Sequence, residues 1–176
     1  MAGGHTVGSA EIREALGTAR AYVSQHPEQA RYTDSVATAI LNEGLAVTIS
    51  GPDGATIQTD MPQSVGGNGA APSPGWLLRA AQASCVATLI AMRAAQLGLD
   101  PGPIEVVIDS ESDDRGILGI DDSVAAGPLT SRARVRLRQA SGSRTELVEL
   151  VSWADSHCPV QDAVRRAVHC TLEVEE

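Results

Sequence analysis

Three cysteines, Cys85, Cys158 and Cys170, are the residues best equipped for chemistry in this 176-residue sequence. The thiolate is the reactive form, so a reactive cysteine needs a cation or hydrogen-bond donors to hold its pKa below the reference value of about 8.5. Cys85 stands in Ala83-Ser84-Cys85-Val86-Ala87, inside an apolar run. A cysteine in that setting is either a packed core thiol or a nucleophile presented from a helix. Cys158 follows His157 and precedes Pro159, at the expected start of a helix. There the helix dipole and unpaired N–H groups favour a thiolate, against the alternative of a half-buried structural cysteine. Cys170 alternates with Leu172 and Val174 and is expected to point inward as core.

Other chemistries find little support. Cys85, His157, Cys158, His169 and Cys170 contain no pair at zinc-ligand spacing, and no metal is expected. The Gly66-Gly67-Asn68-Gly69 loop precedes a helix, as in phosphate sites. However, the chain has no Lys and no Gly-x-Gly-x-x-Gly after a strand. Without Lys there is also no Schiff-base chemistry. No Ser occupies a Gly-x-Ser-x-Gly elbow. The alternating Arg132, Arg134, Arg136 and Arg138 read as the solvated face of a strand rather than an anion site.

The 13 basic and 22 acidic residues leave a formal charge of −9, with no Phe, two Trp and two Tyr. Such a chain is a poor nucleic-acid binder, since that binding needs phosphate neutralisation and stacking. The stretch from Leu77 to Leu97 contains Arg79, Gln82, Arg93 and Gln96, which argues against a membrane span. The start, Met1-Ala2-Gly3-Gly4-His5, has no basic segment followed by an apolar one and is not read as a signal peptide. Three irregularly spaced cysteines do not form a secreted disulfide framework. A cytoplasmic protein with free thiols is expected.

The elements that must position these residues form an α+β pattern. A helix is predicted over 9–26, with Ile12, Ala15, Leu16, Ala19 and Val23 on one face and Pro27 ending it. Residues 30–34 read as a linker. Period-two alternation predicts a three-stranded meander. Its first two strands turn at Asn42-Glu43-Gly44, the next turn is Gly51-Pro52-Asp53-Gly54, and residues 55–60 return. A flexible Gly66–Pro72 loop leads to Ser73-Pro74, a cap and first helical residue. The long helix that follows, to about Gly98, carries the apolar stripe Leu78, Ala81, Cys85, Leu89 and Met92 beside a narrow polar strip of Arg79, Gln82, Arg93 and Gln96. A helix apolar nearly all round must be buried on most sides, and a partner subunit would supplement one small sheet. Strands are predicted over 104–110 and 132–138, separated by a long acidic loop. Helices over 145–155 and 161–168 and a terminal strand through Cys170, Leu172 and Val174 complete the order α-βββ-α-ββ-αα-β. No βαβ unit is present.

Together these motifs resemble the OsmC/Ohr family of hydroperoxide-handling proteins. The resemblance runs through Gly66-Gly67-Asn68-Gly69, Ala71-Pro72-Ser73-Pro74, Leu77-Leu78, Ala80-Ala81 and Ala83-Ser84-Cys85-Val86-Ala87. Asp114-Arg115-Gly116, Leu118-Gly119 and His157-Cys158-Pro159-Val160 complete it. It assigns residues 36–176 to an OsmC-like domain and 1–35 to an N-terminal helical extension and linker. It implies antiparallel sheets around a long central helix, in an intertwined homodimer. It also implies a thiol-dependent organic hydroperoxide reductase, with Cys85 as peroxidatic and Cys158 as resolving cysteine. No bound cofactor is implied; an external dithiol, dihydrolipoyl in type, would be the reductant, and an apolar pocket would favour organic over hydrogen peroxide.

The sequence departs from the family at two places. Gly75 stands where relatives of the Ohr type carry a Glu, and the Asn42-Glu43-Gly44 turn lacks their thiolate-activating Arg. Arg31, Arg79 and Arg115 are the substitutes considered, since a cation within about 4–6 Å lowers a thiol pKa by 1–3 units. The departures also motivate two alternatives: a non-catalytic relative binding a small apolar or electrophilic ligand at the dimer interface, and a thiol redox sensor.

Overall fold

The computed structural model describes residues 7–175. The reading of residues 1–5 as lacking a signal peptide therefore lies outside the described residues. Contacts gather into two compact units. One comprises Thr18–Ala80 and the other the remaining described residues.

In the first unit, strands β1 (Thr38–Leu41), β2 (Val47–Ser50) and β3 (Thr56–Thr59) form the expected antiparallel meander in the order β1-β2-β3. Register pairs Ile40 with Thr48 and Ile49 with Ile57. Asn42 donates its side-chain amide to Thr48 Oγ1 at 2.8 Å across the first turn.

The glycine loop after β3 is wrapped on a buried carboxylate and is not the flexible connector expected. Asp60 is 2% exposed. It accepts backbone N–H groups from Met61 at 2.7 Å and from Asn68 and Ala70 at 3.1 Å each. Gly67 passes so close that a Cβ there would stand 1.9 Å from the Met61 carbonyl oxygen. Loop amides of the kind that hold a phosphate elsewhere are thus committed to the chain's own anion. The Ala70 N–H, with those of Met61 and Asn68, holds the Asp60 carboxyl below its ordinary pKa, against burial that pushes it up. A depressed folded pKa stabilises the protein above the unfolded-state value, and that stabilisation is lost as pH falls through the folded one. Asp60→Asn would aim an amide donor at other donors. We expect a lower thermal midpoint at neutral pH and a difference from wild type that narrows on acidification, as measured by scanning calorimetry.

The second unit is built on helices. Helix α1 (Ser9–Gln25) has no fully buried residue. Ile12 and Leu16 are half-buried, whereas Ala15, Ala19 and Val23 of the expected apolar face are exposed. Within this unit Arg13 donates Nε–H to the carbonyl of Ala95 at 2.6 Å, supplying a cation near the C-terminus of the long helix α2 (Pro74–Leu97), which has no basic residue in its last turn. Helix α2 starts as expected, with Ser73 Oγ accepting the Trp76 N–H.

Strands β4 (Ile104–Glu111) and β5 (Thr130–Leu137) pair antiparallel. The arginine ladder on β5 is a cross-strand ion-pair face: Arg132 and Arg134 pair with Asp109, Arg136 and Arg138 with Glu105. Between the strands lies a short helix α3 (Asp114–Ile117), and after them come α4 (Arg144–Ser156) and α5 (Pro159–Arg166). Ser143 and Glu146 form a reciprocal capping box at the start of α4.

Val86, Ile90, Ala94, Leu150, Ala154 and Cys158 form the buried core, with Val106, Val135 and Leu137 from the sheet packed against it. Two expectations are corrected here. The buried row of α2 is Gln82, Val86, Ile90 and Ala94 with Ala95, not the stripe of Leu78, Ala81, Cys85, Leu89 and Met92, and Gln82 is taken from the polar strip into the interior. Small and apolar residues all around the helix leave its face to be chosen by what packs on it. The terminal strand is also absent. Residues 168–175 form no strand, and Leu172 and Val174 are 92% and 87% exposed. Cys170 is likewise exposed rather than core. Alternation favours a strand, but a strand exists only where another offers its N–H and C=O groups.

By length and composition α2 is a helix that could cross a membrane. Its buried row serves the core, and Arg79, Gln82, Arg93 and Gln96 interrupt its circumference.

Candidate functional site

The structure brings Cys85 and Cys158 together, far apart as they are in sequence. Cys85 is half-buried on α2, and Cys158, fully buried, is the N-cap residue of α5. Their side chains lie within hydrogen-bonding reach, and the Val160 N–H also points to the Cys85 sulfur. Pro159 is placed in the first turn of α5, where no N–H is needed. Cys158 Sγ accepts the Gln161 N–H at 3.5 Å, the capping role that the helix-start position suggested.

Burial pushes the Cys85 thiol pKa above its ordinary value. The neighbouring Cys158 thiol adds to this shift, and the Val160 N–H opposes it. The groups that shift the Cys85 thiol are burial, Cys158 and Val160. Arg115 is exposed and bound by Asp113 through Nη2 at 2.5 Å and by Asp121 at 3.9 Å. Arg31 is exposed after α1 and Arg79 is half-buried early in α2, both within the other compact unit. Gly75 is exposed in the first turn of α2.

A polar chain behind the two sulfurs escaped the sequence reading. Gln82, 4% exposed, donates Nε2–H to Gln161 Oε1 at 2.7 Å. Gln161 donates Nε2–H to Asp155 Oδ1 at 3.3 Å. Arg165 closes the chain on Asp155, donating to Oδ2 at 2.9 Å and to the backbone carbonyl at 2.8 Å. The available signal was spacing, since each glutamine lies three residues from a cysteine, one helical turn away. Beside this chain, Trp153 stacks on His157 at 4.1 Å between ring centroids, and the Arg93 guanidinium lies 4.8 Å from the Trp153 ring.

His169 lies in the exposed terminal segment with Cys170. Among the described residues no group of three His, Cys, Asp or Glu is arranged to hold a metal ion. A groove of about 860 Å³ runs between β5 and α4, walled by Val86, Val135, Leu137 and Val151 and reaching Asp155; Cys85 is not among its walls.

Antiparallel sheets, a long helix bearing one cysteine and a second cysteine capping a later helix define an α+β thiol protein of the OsmC type. The OsmC-like protein family model matches residues 66–173, and the chain belongs to that family. Solved structures share the fold at low identity. An OsmC-like protein from Mycoplasma pneumoniae superposes with a TM-score of 0.65 at 15% identity, covering 77% of this chain and 89% of its own. The organic hydroperoxide resistance protein OsmC from Legionella pneumophila gives 0.56 at 19%, covering 77% and 91%. The organic hydroperoxide resistance protein OhrB of Bacillus subtilis gives 0.51 at 22%, covering 76% and 91%. No curated protein sequence matches the chain.

Proposed function

We propose that this protein is a thiol-dependent organic hydroperoxide reductase. The observation that carries the reading is the pairing of a half-buried Cys85 with a fully buried Cys158. The partly open sulfur meets the peroxide first, and the enclosed one is reached only by its neighbour. Cys85 thiolate attacks the outer oxygen of the peroxide. The O–O bond breaks, an alkoxide leaves and takes a proton to become the alcohol, and Cys85 becomes a sulfenic acid. Cys158 then attacks the sulfenic sulfur, forming a disulfide and releasing water. An external dithiol, dihydrolipoyl in type, restores both thiols by exchange and is itself oxidised to a disulfide. No bound cofactor is needed for these steps. Because burial and the neighbouring Cys158 push the Cys85 thiol up, the cycle is slow at neutral pH.

The working form we propose is a homodimer. Support comes from large apolar residues that α2 leaves open, Trp76, Leu78 and Leu97, which are 38–50% exposed. The three unpaired cysteines suit a reducing compartment, and we place the protein in the cytoplasm.

The test is the intact mass of fully reduced protein after one equivalent of cumene hydroperoxide, followed by peptide mapping. Loss of two hydrogens, mapped to a Cys85–Cys158 bridge, is the expected result. An unchanged mass after long exposure would overturn the reading in favour of a ligand-binding protein without this chemistry.

A further inference from the structure

We propose that Gln82 is a positioning residue, which through Gln161 aligns Cys158 with Cys85 for disulfide formation. The proposal rests on the reading of the two cysteines as a redox pair.

Gln82 is the only polar residue in the fully buried row of α2, where an amide is costly unless satisfied. Its partner is Gln161 of α5, at 2.7 Å. Gln161 has two roles: its side chain holds Gln82, and its backbone N–H holds Cys158 Sγ. The bond therefore ties α2 to α5 within one turn of each sulfur. Every donor in the chain runs toward Asp155, from Gln82 to Gln161 to the carboxylate, with Arg165 donating from the other side. That polarity fixes which end of the Gln161 amide faces Gln82. A pair of thiols held in register has a high effective concentration, because little freedom remains to be lost when the S–S bond forms.

Breaking the tie should weaken the bridge without touching a sulfur. The measurement is the equilibrium of the Cys85–Cys158 bridge against reduced and oxidised glutathione, quenched in acid and read by mass, for wild type and variants. In Gln82→Leu, of similar size, the bridge's equilibrium constant should fall at least tenfold. In Gln82→Glu the protonated carboxyl can still donate to Gln161 and the ionised one cannot. Its constant should approach wild type at pH 5 and fall about tenfold by pH 7.5, a range in which the wild-type constant is flat. Loss of packing alone would not titrate. A Gln82→Leu constant within twofold of wild type, or a flat Gln82→Glu profile, overturns the proposal. If Gln82→Leu does not fold, Asp155→Ala at the half-buried end of the chain carries the same test. A fall of threefold or more supports the proposal and no change overturns it. No bridge in wild type would overturn the redox reading together with this inference. A wild-type bridge unmoved by the variants overturns this inference alone.

Discussion

Replacing Cys85 by Ser is expected to abolish consumption of cumene hydroperoxide, whereas Cys158→Ser should leave one turnover intact and trap the product. The argument follows from what each sulfur can reach. Cys85 is half-buried, and a serine hydroxyl in its place is a poor nucleophile at neutral pH. Cys158 is fully buried against it, so its removal spares the attack and blocks only the condensation. Intact mass should show Cys158→Ser gaining one oxygen atom per chain, and a dimedone adduct should place it on Cys85. The rate should also report the raised Cys85 pKa. With the thiol pushed up by burial and by its neighbour, the thiolate fraction at neutral pH lies below the few per cent of an ordinary cysteine. Below that pKa the rate constant should rise about tenfold per pH unit, continuing beyond pH 8. A plateau below pH 7 would show that a cation reaches Cys85 in the working protein. Peroxide consumption by Cys85→Ser at the wild-type rate would remove Cys85 from the reaction.

Ile90→Ala should cost about 2–5 kcal/mol, a large part of the 5–15 kcal/mol that typically separates folded from unfolded states. Ile90 is 0% exposed in the row of α2 that faces Leu150, Ala154 and Cys158. Truncation there removes transfer free energy and leaves a cavity in a packed site. The exposed Val148 of α4 is the control: Val148→Ala should change stability by no more than about 0.5 kcal/mol. Urea unfolding of the two variants decides it. An Ile90→Ala loss as small as that of Val148→Ala would mean that the α2–α4 core is not what holds this unit. Because Ile90 shares its core with Cys158, Ile90→Ala should also slow disulfide closure, although it touches neither sulfur.

The sequence by itself determined the elements whose cause is local. Proline at the first helical residue, Ser73 as a cap, period-two runs broken by glycine turns, and an Arg ladder on one strand face all act through neighbours a few residues away. Every one of them appears in the structure. It also marked Cys85 and Cys158 as candidates for chemistry, because they lie in motifs of a recognisable order, and the structure brings the two together. Tertiary structure decided the rest. Which face of α2 is buried could not be read from a helix with small or apolar residues on nearly every side; the packing of α4 and the β4–β5 sheet selected the row through Gln82, Val86 and Ile90. The Cys170–Glu175 alternation was a correct local pattern without a partner strand, and hydrogen bonds across a ladder are a long-range property. The glycine loop read as flexible because its restraint, the Asp60 carboxylate, forms only when residues 60, 61, 68 and 70 meet. The Gln82–Gln161 tie likewise joins residues far apart in the chain. A lone amide on a helix signals a solvated surface until another helix supplies its acceptor, and then it becomes a buried bond between two helices.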